Sequence, residues 1–347
     1  MLTRYRTRTG WMRWRVHWAM WRGTTRCGLP PGAKLRNIIW RNTWSTTLPL
    51  EARYGMDHGR YAWSMMESRP PARWPGGKPL ALWVNVALEH FPLNPAGAGF
   101  KAPGNMTMPY PDLRHYTLRD YGNRVGIFRV LQALQHYQVD FSVTVNGEVA
   151  ERYPALLQRV ASTGAELVAH GWNMDSVHQG GLAQSGEAAL IRRSIDVLQP
   201  YSAAPIRGWL SPARSQSAHT PDLLREAGIS WCADWVNDEL PYTQQTRAGD
   251  LIALPLPLEL EDRFIISENG HSESEYADQV IDACDFLLRE ARALSSGRML
   301  ALAVTPWVIG QPHRIKYLER VLAHLAKHRE HIWNPLPSAL SNVGVNP

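Results

Sequence analysis

Ala165-Glu166-Leu167-Val168-Ala169-His170-Gly171-Trp172-Asn173-Met174-Asp175-Ser176-Val177-His178 is the stretch that decides the fold. An apolar run of strand length stops at a histidine and a glycine, and Asn173, Asp175 and His178 follow at once. A strand ending this way delivers an imidazole to the rim of a parallel sheet, where open α/β folds and barrels build their sites. A lone histidine there is as well explained by a backbone carbonyl partner. Repetition favours the functional reading. Residues 80–88 run into Glu89-His90-Phe91, and 206–210 run through Trp209 into Ser211-Pro212 and Arg214. Residues 229–233 run into Asp234-Trp235, and 299–304 into Thr305-Pro306-Trp307. Convergent strand ends predict one shared pocket.

Between these strands the period switches to that of a helix. Ile127, Leu131 and Leu134 share one helical face, and Val149, Tyr153, Leu156, Leu157 and Val160 share another. Leu190, Ile191, Ser194, Ile195 and Leu198 mark a third helix, stopped by Pro200. Thr220-Pro221-Asp222 reads as an N-cap followed by proline at the first helical position. Two longer amphipathic runs follow, from Ala277 to Ala291 and from Ile315 to Leu325. With residues 139–145 and 251–255 included, about seven strands alternate with helices, which predicts a parallel sheet closed or nearly closed into a barrel.

The net charge of +6 invites a nucleic-acid reading until it is located. Residues 1–50 hold nine arginines, Lys34 and no acid, whereas the remaining 297 residues carry 27 basic and 31 acidic side chains, a net of −4. A mildly acidic body argues against a nucleic-acid surface. The same first 50 residues hold six of the 15 tryptophans without a sustained period, and Arg13, Arg15 and Arg22 interrupt any apolar segment of signal-peptide length. Residues 1–55 are therefore expected to be an extension, disordered or foreign to the working protein, and 56–347 a single catalytic domain. Cys27, Cys232 and Cys284 have no metal-ligand spacing, so buried reduced thiols in a cytoplasmic protein are expected. A homo-oligomer without membrane or nucleic-acid partners completes the expectation.

Taken as an ordered set, several motifs resemble the polysaccharide deacetylase (NodB-homology) family, in the branch of cofactor-independent allantoinases and related cyclic-amide or peptidoglycan deacetylases. They are Arg73-Trp74-Pro75-Gly76-Gly77, Leu88-Glu89-His90-Phe91, Asp120-Tyr121-Gly122-Asn123-Arg124-Val125-Gly126, His170-Gly171-Trp172-Asn173, Gly208-Trp209 with Ser211-Pro212, Asp234-Trp235-Val236-Asn237-Asp238, and Pro306-Trp307 with Gly310-Gln311-Pro312-His313-Arg314. The resemblance spans residues 57–335. It implies a distorted seven-stranded (β/α) barrel and hydrolysis of a non-peptide carbon–nitrogen bond in a small-molecule or carbohydrate amide.

In the family a carboxylate takes a proton from water, a metal held by aspartate and two histidines polarises the carbonyl, and a histidine protonates the leaving amine. Here the adjacent aspartates are matched by Glu89 and His90, the His-x-x-x-His pair by His170 and Met174, and the last-strand histidine by Thr305. Glu89 takes the base position, with a pKa raised by a desolvated barrel mouth. Two readings follow for the cofactor. A zinc ion is held by His90, His170 and His178 or Asp175, since three protein ligands suffice for a catalytic site. Otherwise the enzyme uses no metal, with Arg214, Asn173 or backbone donors stabilising the oxyanion. Asp234 orients His170 or an arginine, or else caps its turn. Arg124 contacts an anionic substrate or is a solvated helix arginine. Trp172, Trp209, Trp235 and Trp307 wall a planar ring or sugar face, or seal the barrel as a collar. A catalytically silent carbohydrate or metabolite binder is the competing function.

Overall fold

The computed structural model describes residues 59–97, 99–100 and 109–343. The basic, tryptophan-rich extension placed at residues 1–55 lies outside the described residues, as does Cys27. Strand β1, Leu80–Leu88, is an almost continuous apolar run buried along its length, as expected of a strand covered on both faces. It pairs in parallel with β2 (Ser142–Val145), with β8 (Arg298–Val304) and at its start with β9 (Ile332–Trp333). From β2 the sheet continues through β3 (Glu166–Ala169), β4 (Gly208–Trp209), β5 (Trp231–Cys232) and β7 (Gly249–Ala253). All of these neighbours are parallel, so seven parallel strands run in the order β7-β5-β4-β3-β2-β1-β8. An antiparallel strand, β6 (Tyr242–Thr246), lies outside β7, and among the described residues no backbone pairing joins this end of the sheet to β8.

The helices follow the predicted alternation. They are α1 (Leu113–Tyr121), α2 (Ile127–His136), α3 (Gly147–Arg152), α4 (Pro154–Ala161), α5 (Gln184–Leu198), α6 (Thr220–Glu226), α7 (Glu273–Leu294), the single turn α8 (Pro306–Ile309), α9 (Ile315–Lys327) and α10 (Pro337–Ser341). Two π-helical turns, Gly122–Gly126 and Arg263–Glu268, border the site described below. Alternation along β1 splits the core. Leu80, Leu82, Val84, Val86 and Leu88 join the helices in one apolar cluster, while Ala81 and Trp83 join Met299, Ala301, Ala303 and Trp231 in a second. Trp231 leaves its indole N–H without a partner on this second face, whereas polar groups of β1 and β2 there are linked to one another. Trp83 Nε1 donates to Ser142 Oγ at 2.9 Å, Ser142 Oγ donates to Asn85 Oδ1 at 2.8 Å, and Asn85 Nδ2 donates to Thr144 Oγ1 at 3.1 Å. Satisfied in this way, they avoid the cost of unpaired buried polar atoms.

Predicted and observed elements differ mainly at their ends. The strand expected at 139–145 begins at Ser142, and those at 206–210 and 229–233 keep ladder pairing over two residues each. The β6–β7 hairpin is absent from the predicted set because Thr243, Gln244, Gln245 and Thr246 hide its apolar alternation. Thr220 does not cap α6: His219 holds that position, and the Thr220 hydroxyl instead bonds the buried Glu187 carboxylate. Among the described residues no helix is long and apolar enough to cross a membrane. Cys232 and Cys284 are buried free thiols.

Candidate active site

The C-terminal ends of β1 and β3 are joined by one side chain. Asn146, the first residue after β2, accepts from the backbone N–H of His90 at 2.7 Å and donates to the carbonyl of His170. It therefore sets the two strand ends in register one residue beyond the ladder. Gly171 turns the chain with φ of +61°, and an added Cβ would stand 2.5 Å from Pro212 Cγ, so this position requires glycine. His170 is thereby left pointing across the rim. Its Nδ1 lies 2.7 Å from the carbonyl of Leu210, which only accepts, so Nδ1 carries the proton and Nε2 presents a lone pair.

That lone pair faces Glu89, with Nε2 3.8 Å from Oε1. Glu89 is only 7% exposed and is held from two further sides. Arg263 Nη1 lies 3.4 Å from Oε1, and Trp307 Nε1 donates to Oε2 at 3.5 Å. Asn123 Nδ2 donates to the Glu89 carbonyl at 2.9 Å and fixes the backbone. Burial alone would raise the pKa of this carboxyl, but the Arg263 guanidinium, aided by the Trp307 N–H, outweighs it, and the value falls to about 2 from an ordinary 4.5. The raised pKa expected from the sequence is thus corrected. A nearby guanidinium defeats desolvation, and Glu89 is a stable anion with little basicity.

Arg263 is the residue sequence reasoning missed. It follows Glu261 and Asp262 in a charged triplet between apolar runs, and that placement was the available signal. Arg263 Nε lies 3.2 Å from Glu261 Oε1 and 3.7 Å from Glu268 Oε1, the first at an angle too poor for a directional hydrogen bond. These carboxylates and Glu89 raise its pKa, although burial opposes them. Asp262 reaches across to β8, where both its oxygens accept the Thr305 N–H at 3.0 Å. Arg119 of α1 stacks its guanidinium over Phe91 at 4.5 Å and over Trp307 at 5.4 Å, which completes the wall beside Glu89.

The other sequence candidates fall elsewhere. Arg214 donates to the Ala233 carbonyl at 3.1 Å and lies 3.8 Å from Glu261, so it reaches Glu89 only through the Glu261–Arg263 chain. Asp234 neither touches nor orients His170 or an arginine. Its oxygens accept from Ser211 N at 2.6 Å, Ser211 Oγ at 2.7 Å and Gln216 Nε2 at 2.6 Å, so it caps the turn after β4. Asn173 donates to Glu148 at 2.7 Å rather than facing the pocket. Arg124, with its side chain 77% exposed and 4.0 Å from Asp120, lies on the outer surface, because the π-helical turn aims Asn123 inward in its place. Of the four tryptophans, Trp307 touches Glu89. Trp172 stacks under Arg193 against α5, Trp209 is fully buried with its N–H on Ser211, and Trp235 bonds Gln216.

The proposed metal ligands do not converge. His90 turns its Nε2 to Glu148 at 3.3 Å. His178, fully buried, places Nδ1 3.1 Å from Glu187, while its Nε2 has no partner. Asp175 spends its carboxylate on the backbone N–H groups of Ala96 and Gly97. Met174 is buried, and its backbone N–H bonds the His90 carbonyl at 2.9 Å. The ligand atoms of His90, His170 and His178 do not gather within 4.8 Å of one another, so in this arrangement they do not share a zinc ion. Among the described residues, the one group of three ligand atoms within 4.8 Å of one another is Cys284, Asp285 and His324, on α7 and α9. There burial pushes the thiol up to about 12, and Asp285 already holds His324 at 2.8 Å.

Residues 115–231, which carry strands β2 to β4 together with His170 and Trp209, match the polysaccharide deacetylase family model. Over these 117 residues, about a third of the chain, the sequence is similar to polysaccharide deacetylases. Members of that family hydrolyse carbon–nitrogen bonds. A curated protein of Schizosaccharomyces pombe named as a polysaccharide deacetylase is 22% identical over 280 residues, covering 74% of this chain and 83% of the relative. Among solved structures, the Puue allantoinase superposes with a TM-score of 0.71 at 21% identity, over 79% of this chain and 93% of that one. A polysaccharide deacetylase structure from Pseudomonas aeruginosa PAO1 gives 0.69 at 22% identity, over 78% and 93%. At these identities the structural likeness establishes the fold: a parallel-stranded barrel of the NodB type with its sheet left open.

Proposed function

We propose that this chain hydrolyses a non-peptide carbon–nitrogen bond in a linear or cyclic amide, with the reacting water held between Glu89 Oε1 and His170 Nε2. The observation that carries this is the 3.8 Å approach of a permanently charged carboxylate to an imidazole lone pair at the rim. A separation of this size suits a bridging water better than a direct bond. Because Glu89 is too weak a base, His170 Nε2 takes the proton as the water oxygen bonds to the amide carbon. The imidazolium so formed faces the Glu89 charge at short range, which stabilises it. When the carbon–nitrogen bond breaks, the same proton passes to the leaving nitrogen, giving a carboxylic acid and an amine. The names of the similar proteins favour two substrate classes, an N-acetylated carbohydrate and a cyclic ureide such as allantoin.

Purified protein should be offered N-acetylglucosamine oligomers, allantoin and simple hydantoins, with product amine or ureide measured directly. One class is expected to turn over, and His170→Gln should lower kcat by roughly a hundredfold or more. Cleavage by His170→Gln at the parent rate would sink the reading. Binding without turnover across the panel would favour the catalytically silent alternative.

A further inference from the structure

The geometry points to Arg263 as the group that holds the oxyanion, the task a metal performs elsewhere in the family; this rests on the hydrolase reading above. Three observations carry it. Nη1 is engaged with Glu89, and Nε lies within ion-pair range of Glu261 and Glu268 without a directional hydrogen bond, while Nη2 donates no hydrogen bond to any of the described residues. That nitrogen shares the rigid guanidinium plane with Nη1, which lies 3.4 Å from Glu89 Oε1, the carboxylate oxygen that flanks the proposed water. The carboxylates around it keep the group charged. Finally, the ligand atoms of the histidines that would have supplied a metal do not gather within 4.8 Å of one another.

The chemistry balances without a further reactant. As the water oxygen forms its bond to the carbonyl carbon and its proton moves to His170 Nε2, the π pair of the carbonyl moves to oxygen, and the resulting O⁻ accepts from Arg263 Nη2. On collapse the pair returns, the carbon–nitrogen bond breaks, and His170 gives its proton to nitrogen. Nη1 meanwhile stays with Glu89. One guanidinium thus fixes the carboxylate and receives the developing charge, and the donor is in place before reaction.

Two variants and two measurements test this. Arg263→Lys keeps the charge but loses the planar pair of donors, and Arg263→Gln loses both. On the substrate that the parent cleaves, kcat should fall by about a hundredfold in Arg263→Gln and at least about tenfold in Arg263→Lys, with KM changed less than threefold, as expected of a donor used only in the transition state. Independently of turnover, methylphosphonate, a tetrahedral anion, should bind the parent by calorimetry and bind Arg263→Gln at least about tenfold more weakly. Its affinity for His170→Gln should remain close to that of the parent. Equal affinity in parent and Arg263→Gln, or no binding to the parent, would overturn the assignment, as would a kcat within threefold of the parent in Arg263→Lys. A parent that cleaves nothing yet binds methylphosphonate through Arg263 would instead defeat the hydrolase reading and leave the anion site standing.

Discussion

Replacing Glu89 by glutamine removes the charge on which the site is organised, and the structure fixes how large the effect should be. Folding lowers the pKa of this carboxyl from 4.5 to about 2. At about 1.4 kcal/mol per pKa unit, the folded protein favours the ionised side chain by roughly 3 kcal/mol over the unfolded chain near neutrality. The sign follows from the direction of the shift. A depressed pKa contributes stability that is fully present above about 4.5 and is lost as pH falls through about 2. Glu89→Gln forfeits most of this and leaves Arg263 facing Glu261 and Glu268 alone, so it should lower the melting temperature by about 5–8 °C at pH 7. The gap between variant and parent should narrow steadily below pH 4. Rate per folded molecule should fall by roughly a hundredfold or more, because the imidazolium formed on His170 loses its counter-charge. Thermal melts from pH 3 to 8, paired with single-turnover rates, measure both effects. An unchanged melting temperature at pH 7 would refute the electrostatic reasoning, and a rate within threefold of the parent would refute the catalytic role.

Three further outcomes are expected. Exhaustive chelation should leave turnover unaltered, whereas loss of activity restored by zinc would show that His170 finds ligands it does not meet in this structure. His90→Gln should weaken the Glu148 cluster and reduce stability by about 1–2 kcal/mol while turnover stays within threefold of the parent, since its Nε2 faces Glu148 rather than Glu89; a collapse in kcat would return His90 to the site. Asp262 is raised from 3.8 to about 8, chiefly by burial and then by the Glu261 charge. A raised carboxyl favours folding fully below 3.8 and loses that contribution as pH climbs to about 8, so Asp262→Asn should flatten the decline of stability across this window, and an unchanged slope in urea titrations would contradict the assignment.

Much of the barrel was legible because its strands are apolar and its helices amphipathic, as in β1 and in the Ile315–Lys327 helix. Strand-end residues were legible for the same reason: Glu89 and His170 each stand directly after an apolar run. What those residues touch was not. His90 adjoins Glu89 in sequence, yet Asn146 holds the His90 backbone so that the ring reaches Glu148, a partner 58 positions away. Arg214 and Arg263 are both arginines beyond strand ends, and the π-helical turn at Arg263–Glu268 carries only the second to Glu89. The basicity of Glu89 was misjudged because desolvation was weighed without the opposing guanidinium, which no nearby residue announces.

The unpaired gap between β7 and β8 gives these contacts a second meaning. Among the described residues no ladder closes the barrel there, yet Asp262 grips the Thr305 amide and Arg263 reaches Glu89, so side chains from the segment after β7 tie it to the ends of β8 and β1. The site is therefore also the clasp of the barrel. Any breathing of this seam would pull the guanidinium away, let the carboxyl regain protons, and switch off chemistry before the fold is lost. Hydrogen exchange at the Thr305 amide would report that opening directly, and its protection should fall in step with activity under mild denaturant.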